Sequence, residues 1–187
     1  MENNIEDLFS DDIENDSLLN FEERFGFTIE ALEKEMVDYQ PKMDIKYSRS
    51  NEDAVTPQYA YPTDSGFDLH STEDVWIHPF DRKLVPTGLH VDIPDGYEVQ
   101  VRSKSGLALK QGLMVLNSPG TVDQGYTGEI KVIVFNTTNQ KVKIDKWQKI
   151  AQAVVCPVVS GKWIKLIEVD NIEDKDRSDK GFGSTGI

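Results

Sequence analysis

The sequence predicts an all-β domain over residues 42–170. Short runs of alternating or β-branched residues recur there, and turn sequences rich in Pro, Gly, Asp and Asn separate them. Many short strands at this spacing are typical of a sandwich, a barrel or a jelly roll. One short helix is expected within residues 105–112. The predicted strands are Val75–Ile77, Lys83–Val85, Leu89–Ile93, Tyr97–Val101, Ile130–Phe135, Val142–Ile144, Ile150–Val155 and Trp163–Ile167.

Two segments of different composition flank this domain. Residues 1–41 hold 13 acidic and 2 basic residues, so they carry a charge of −11 out of the net −13. Apolar residues recur at spacings of three and four from Phe21 to Met36, which predicts a helix that ends before Pro41. Residues 171–187 are charged and then rich in glycine. Such a segment cannot build a core, so we expect a mobile arm.

Composition also argues against several classes of protein. No apolar run approaches the roughly 20 residues that cross a bilayer, and the acidic stretch from Met1 to Ser10 lacks the features of a secretory signal or a transit peptide. The single cysteine, Cys156, excludes an internal disulfide and is expected in the core. We therefore expect a cytoplasmic protein, in the host cytoplasm if the chain is viral. Neither DNA binding, which needs a basic face, nor membrane binding is expected.

The segment Asp64–Leu69 places a glycine between two acids, Asp64 and Asp68. A tight turn of this kind puts a carboxylate beside the end of a strand. There Asp68 could hold a hydrated Mg²⁺ through its waters, because this ion dehydrates reluctantly. A surface Asx-turn is the simpler interpretation of this motif taken alone.

The segment Arg102–Gly106 combines two basic residues, two hydroxyls and a glycine at the start of the predicted helix. Backbone N–H groups, serine hydroxyls and cationic side chains that point the same way can cradle a phosphate. A strand-to-helix cap with solvated charges explains these residues equally well.

The segment Asn117–Gly128 is dense in glycine, proline and polar residues, and it predicts a hairpin between two strands. Such a hairpin could form a slot for a pyrimidine, with Tyr126 stacked on the sugar or the ring. Asp123 is the only acid before Glu129 and can polarise a water within hydrogen-bond reach. An ordinary long hairpin with Tyr126 in the core leaves the composition of this segment unexplained.

Two further motifs are weaker. Gln152 lies between apolar neighbours in a predicted strand, where it could bond a phosphate oxygen or merely satisfy the edge of a sheet. Arg177 and the glycines of 181–186 could wrap an anion with backbone amides. A disordered tail is the default interpretation of that segment, and the pattern of a P-loop is absent from it.

In their order and combination, the five motifs resemble those of the trimeric dUTP pyrophosphatase (dUTPase) family, from Ala60 to Gly186. The resemblance implies a jelly-roll-like (β-clip) fold and a homotrimer whose three active sites lie between subunits. It implies Mg²⁺-assisted hydrolysis of dUTP to dUMP and pyrophosphate. This reaction limits the incorporation of uracil into DNA and supplies dUMP for the synthesis of dTMP.

The resemblance also implies a role for each motif. Asp123 would be the catalytic residue that orients and activates the attacking water, and Asp68 would hold the metal-bound waters. Ser105 and Gln152 would contact the phosphates, and Asn117 would read uracil with the hairpin backbone.

The remaining implied roles concern the residue that contacts the sugar and the residues of the C-terminal arm. Tyr126 would stack against deoxyribose and exclude ribose. Arg177 and the arm would close over the nucleotide, with Phe182 stacked on uracil. The other positions expected to contact the substrate are Arg102, Lys104, Gly106, Gly120, Val122, Lys131, Gly183 and Ser184.

Three positions depart from the family pattern. Lys104 stands where arginine usually precedes the serine, and it keeps the charge without the bidentate fork. Trp147–Lys149 replaces glycine, an acid and arginine, and Ser178 replaces glycine after Arg177. The first two departures could lower activity or alter the contacts between subunits.

Two other functions remain open from the sequence. A dCTP deaminase of the same superfamily would need a catalytic glutamate, and Asp123 with Tyr126 argues against it. An interaction protein could instead bind a regulator through residues 1–41, where Ile5–Phe9 weakly resembles the docking peptides of bacterial sliding clamps. A disordered tail with one amphipathic helix is the simpler interpretation of that segment.

Overall fold

The computed structural model describes residues 43–175 and Ser178. The helix predicted in residues 1–41 and most of the glycine-rich arm lie outside the described residues. Among those described, no helix is long and apolar enough to span a bilayer. The strands are β1 Lys46–Arg49, β2 Phe67–His70, β3 Val75–Ile77, β4 Arg82–Pro86, β5 Leu89–Asp92, β6 Tyr97–Arg102, β7 Leu113–Val115, β8 Gly120–Val122, β9 Lys131–Asn136, β10 Val142–Ile144 and β11 Lys149–Pro157.

These strands form four antiparallel sheets around one apolar core. The strand orders are β1-β5, β10-β3, β2-β11-β6-β8 and β4-β9-β7. In strands such as β2, β5 and β6, buried apolar side chains alternate with more exposed ones, as a period of two predicts. The all-β prediction is therefore confirmed. Representative core side chains are Leu69, Ile77, Val85, Leu89, Val99, Leu113, Val134, Ile144 and Ala153.

The helix α1, Ser105–Gln111, confirms the helix expected within residues 105–112. It ends because Gly112 adopts a left-handed φ of 64° and donates its N–H to the Ala108 carbonyl. A side chain at Gly112 would also collide with Thr138. This helix joins the four-stranded sheet to the sheet that contains β7.

One predicted strand is wrong for the single chain. Residues 163–167 form the end of a short 3-10 helix, Gly161–Trp163, and then an irregular stretch. The apolar side chains of that stretch join none of the sheets formed by residues 43–175, and Leu166 is 92% exposed. Conversely, β1, β2, β7 and β8 were not predicted, because they are short and partly polar.

A buried asparagine fixes the end of β9. Asn136 is fully buried, and its Nδ2 lies 3.2, 3.1 and 2.7 Å from the carbonyl oxygens of Ile77, His78 and Gln140. Its Oδ1 accepts hydrogen bonds from the N–H and the hydroxyl of Thr138. The side chain thus links β9 to the end of β3 and to the turn that follows β9.

We expect Asn136→Ala to lower the free energy of unfolding by about 3 kcal/mol, because it removes a fully buried amide and leaves the carbonyls of Ile77, His78 and Gln140 without this donor. Urea unfolding at one protein concentration measures this loss. Asn139→Ala changes an exposed residue of the same turn and should cost less than about 0.5 kcal/mol. Equal losses in the two variants would contradict the role of the network.

Candidate active site

Three residues from separate motifs stand side by side on one face of the four-stranded sheet. Gln152 in β11 is directly opposite Asp68 in β2 and Arg102 in β6. Residues paired in this way point to the same face. All three are half-buried, whereas Phe67 and Val101 point into the core. The sheet therefore brings the first, second and fourth motifs together within one chain.

Asp68 lies between two lysines. Its Oδ1 is hydrogen-bonded to the ammonium of Lys104, and its Oδ2 lies 2.6 Å from the ammonium of Lys149. Burial raises the pKa of the Asp68 carboxyl, but hydrogen bonds and charges from the two lysines outweigh this effect and hold the pKa below its usual value. Asp68 is therefore ionised at neutral pH.

His70 lies on the same strand face, two residues after Asp68, and pairs with Lys149 across the sheet. Burial lowers the pKa of His70. The charge of Asp68 raises this pKa, and the charges of Lys149 and Lys104 lower it further. The imidazole is therefore neutral at pH 7. The cluster then holds one carboxylate and two ammonium groups, a surplus of positive charge that attracts anions such as a triphosphate.

The two basic residues of the second motif point in different directions. The Arg102 guanidinium donates to Oε1 of Gln100 at 2.6 and 3.0 Å and lies 3.3 Å from the sulfur of Cys156. It thus runs along the strand, and only Lys104 reaches Asp68. Cys156 is half-buried in this contact, so its placement in the core was wrong.

Gln152 and the start of α1 complete this end of the sheet. The Gln152 side chain donates from Nε2 to the Ser103 carbonyl at 3.1 Å, which places its amide beside the second motif. Ser105 and Gly106 begin α1 and are exposed. No atom lies within 4 Å of where a side chain at Gly106 would begin. The predicted phosphate cradle is therefore open to solvent.

The segment Asn117–Gly128 does not form the expected hairpin of paired strands within one chain. Its strand β8 pairs with β6, whereas β9 pairs with β4 and β7. The Tyr126 N–H donates to the Asp123 carbonyl at 2.9 Å and closes a turn. Beyond the turn, Ile130 donates to the Leu89 carbonyl at 2.8 Å. The returning chain is thus held by β5 rather than by β8.

Within this segment, the Tyr126 ring is fixed over the backbone of Gly128. Its hydroxyl donates to the Glu129 carbonyl at 2.9 Å, and a Cβ at Gly128 would lie 2.5 Å from the Tyr126 oxygen. The Glu129 carboxylate accepts from the N–H groups of Thr87 and Gly88 at 3.1 and 2.8 Å. Tyr126 is 47% exposed, so it is not a core residue.

The remaining residues of this segment have separate environments. Gly120 is buried, and a Cβ there would lie 3.1 Å from the Asn117 amide nitrogen, so glycine makes room for Asn117. Val122 is 8% exposed and packs in the core. Lys131 is exposed and lies 3.3 Å from a Glu129 oxygen.

Asp123 lies far from Asp68 in the same chain. Val122 is opposite Val99, so Asp123 is level with Glu98, four residues along β6 from Arg102, and Arg102 is level with Asp68. Four residues of strand span about 13 Å, and the three strand spacings between β2 and β8 span about 14 Å. The two main chains are therefore roughly 20 Å apart. The structure does not bring these two predicted residues together.

Trp147 occupies a backbone position that favours glycine, with a φ of 67°. The left-handed conformation costs a non-glycine residue about 1 to 2 kcal/mol. The indole N–H donates to the Asp53 carbonyl at 3.2 Å, and Lys146 lies 4.8 Å from the ring and pairs with Asp53. These contacts offset the strain and explain how tryptophan replaces the usual glycine.

The C-terminal arm is described only in part. Ser178, which replaces the usual glycine, also has a left-handed φ of 44°. The predicted positions Arg177, Phe182, Gly183 and Ser184 lie outside the described residues.

The sequence motifs assigned no role to Lys149, Gly128 or Glu129, although Gly128 and Glu129 match the family pattern. Lys149 directly precedes the Ile-Ala-Gln motif, but it departs from the usual arginine, so only Gln152 was expected to act there. The role of Glu129 could not be predicted from its neighbours in the sequence, because its backbone partners lie some forty residues away.

A protein-family model described as dUTPase matches residues 52–186, which is more than half of the chain. The chain belongs to the dUTPase family. A deoxyuridine 5'-triphosphate nucleotidohydrolase of Nautilia profundicola is 50% identical over 144 residues, 77% of this chain and 99% of the relative. One from Hydrogenobaculum sp. is 47% identical over 146 residues, which cover 78% of this chain and 99% of the relative.

A solved dUTPase structure agrees with the fold. A mutant dUTPase of Staphylococcus bacteriophage 80alpha, solved with dUpNHpp, has a TM-score of 0.70 and 26% identity. The match covers 78% of this chain and 100% of the phage chain. The all-β, jelly-roll-like fold that the family resemblance implied is thus confirmed for this dUTPase.

We expect Asp68→Asn to destabilise the dUTPase in a pH-dependent way. Because the folded pKa of Asp68 is depressed, the stabilisation from its ion pairs is complete above the unfolded pKa of about 3.9 and is lost as pH falls through the lower, folded pKa. The difference in unfolding free energy from the unmodified chain should therefore be constant above about pH 5 and shrink below about pH 4.

Urea unfolding at a series of pH values measures this difference. Asp44→Asn changes an exposed acid and should show little effect at any of them. A difference for Asp68→Asn that persists unchanged into acid would count against the ion pairs.

Proposed function

We propose that the chain hydrolyses dUTP to dUMP and pyrophosphate, by in-line attack of water on the α-phosphorus, at sites shared between the subunits of a homotrimer. Family membership makes it a dUTP nucleotidohydrolase, the activity for which its relatives are named. The reaction limits uracil in DNA and supplies dUMP for dTMP synthesis. It needs little covalent help from the protein, so positioning and charge stabilisation dominate.

The distance between Asp123 and Asp68 within one chain is the main support for an active site shared between subunits. A general base acts within about 3 Å of the water it activates, and the triphosphate binds at the Asp68 cluster in this proposal. A gap of roughly 20 Å within one chain is too wide for both residues to serve one α-phosphorus. Asp123 of a second subunit, placed against the Asp68 cluster of the first, removes the conflict.

The exposed apolar segment after the 3-10 helix supports assembly with other copies. Leu166 and Ile172 are 92% and 81% exposed, and Ile167 is 70% exposed. The sequence predicts a strand at residues 163–167, and that segment pairs with no strand among the residues that the structure describes. A large exposed apolar patch and an unpaired strand are both typical of an interface.

The residues around Asp68 fit a magnesium ion that arrives with the nucleotide. The described part of the chain has no group of three or more His, Cys, Asp or Glu side chains that could hold a metal. Mg²⁺ needs few carboxylates because it keeps waters and takes phosphate oxygens. Asp68 would contact its waters, and Lys149, 55% exposed, can move away to free an oxygen. Bound Mg²⁺ would neutralise the triphosphate as Lewis acid and template.

Other parts of the chain take the roles that the family resemblance implies. Asn117 reads uracil and Tyr126 stacks on deoxyribose, since its ring is half exposed and firmly held. Lys104, Ser105 and Gln152 contact the phosphates. Closure of the arm over the nucleotide and a protein partner for residues 1–41 are proposed from the sequence alone, because those segments lie mostly outside the described residues.

Pyrophosphate release from dUTP, dTTP, dCTP and UTP tests the activity and its specificity. We expect dUTP to exceed each of the others by at least about 100-fold in kcat/KM, and we expect a chelator to suppress the reaction. Comparable turnover of dCTP would contradict the reading of uracil. Release of ammonia from dCTP would favour a deaminase, and no turnover at all would favour a binding protein.

Asp123→Asn should lower kcat for dUTP by about 100-fold or more, because it removes the general base. Affinity for dUpNHpp, measured by calorimetry, should change little. Asp92→Asn, which changes an exposed acid on β5, is the control and should leave kcat near its original value. Normal turnover by Asp123→Asn would show that another group activates the water.

Mixing the Asp68→Asn and Asp123→Asn chains tests the shared site. If each site takes Asp68 from one subunit and Asp123 from another, every mixed trimer contains one intact site. Random co-refolding of equal amounts should then restore about one quarter of the normal activity, although each variant alone is weak. Mixtures without subunit exchange are the control. No recovery in proven mixed trimers would place the site within one chain.

A further inference from the structure

Glu129 has a largely buried carboxylate that is held by two backbone N–H groups and by Lys131. One oxygen accepts from the backbone N–H groups of Thr87 and Gly88, and the other faces Lys131 at 3.3 Å. The side chain is only 20% exposed. Hydrogen bonds from backbone N–H groups to an ionised carboxylate are stronger than neutral ones. Glu129 therefore ties the end of the Asp123–Glu129 loop firmly to the turn between β4 and β5.

Bonds on both sides of Glu129 complete this attachment. The Thr87 hydroxyl donates to the Ile130 carbonyl at 2.5 Å, and the Ile130 N–H donates to the Leu89 carbonyl at 2.8 Å. On the other side, the His90 Nδ1 and the Thr127 carbonyl are 3.0 Å apart. The backbone of residues 127–130 is thus anchored to one turn and one strand.

This anchored backbone is what holds the Tyr126 ring. The phenol donates to the Glu129 carbonyl, so the position of the ring depends on the position of Glu129. A Cβ at Gly128 would lie 2.5, 2.6 and 2.9 Å from the oxygen, Cζ and Cε2 of the ring. The ring occupies the space that any other residue at position 128 would fill.

We infer that Gly128 and Glu129 are specificity-determining positioning residues, which set the preference of the enzyme for deoxyribose over ribose without touching the nucleotide. The inference rests on the proposed stacking of Tyr126 on the sugar. A ring held at a fixed height excludes a 2'-hydroxyl by steric contact and leaves no partner for it. A ring that can shift by an ångström accommodates the hydroxyl, so the preference falls while turnover of dUTP survives.

The ratio of kcat/KM for dUTP to that for UTP measures this preference directly. Gly128→Ala should lower the ratio by roughly tenfold or more, since steric exclusion supplies discrimination of this size. Its melting temperature should change little, because the ring that must shift is 47% exposed and lies outside the core. Glu129→Ala should lower the ratio as well, and Glu129→Gln should restore it because the amide oxygen still accepts from Thr87 and Gly88.

Gly125→Ala is the matched control for the loop. A Cβ at Gly125 would meet nothing within 4 Å, so the ratio should stay at its original value. A Gly128→Ala enzyme with an unchanged ratio would overturn the inference, and so would an equal loss in Gly125→Ala. If the unmodified chain fails to hydrolyse dUTP, the proposed function fails instead. If it hydrolyses dUTP and UTP alike, the stacking of Tyr126 fails.

Discussion

The pairing of β11 with β2 on one side and β6 on the other is the constraint on which the site depends. Asp68, Gln152 and Arg102 come from three distant segments, and only this register sets them in one row. The inward faces of the same strands, with Val99 and Ala153, are fully buried. A slip by one residue would turn the polar side chains of this row into the core and the apolar side chains towards solvent. Packing of the apolar face therefore fixes the register.

The same row determines the electrostatics of the site. Asp68 alone would be a half-buried carboxylate with a raised pKa, and the two lysines reverse that effect. The lysines replace arginines of the usual family pattern, yet both reach the carboxylate. An ammonium is a point charge on a flexible stem, so it can exchange a carboxylate for a phosphate without the fixed geometry of a guanidinium. The departures at Lys104 and Lys149 therefore preserve a cluster with surplus positive charge.

The four-stranded sheet also keeps Asp68 and Asp123 far apart within one chain. It holds the row of Asp68, Gln152 and Arg102 at one corner and Asp123 at the opposite corner, and the pairing of β6 with β8 maintains that distance. Under the proposed mechanism, a single chain therefore presents two half-sites, and the proposed activity requires assembly with other copies. The exposed apolar segment 164–172 is a candidate surface for that assembly.

The sequence by itself determined the fold class, the family and the identity of most candidate groups. Alternating strands such as Val142–Ile144 and Ile150–Val155 were predictable, because burial of one face leaves a period of two in the sequence. The sequence did not determine which strands the segment 117–128 pairs with or whether residues 163–167 form a strand. It also did not determine the side-chain partners of Arg102 and Cys156. Those depend on which strand a segment meets, and residues such as Glu129 and Thr87 are brought together only when the sheets close on their core.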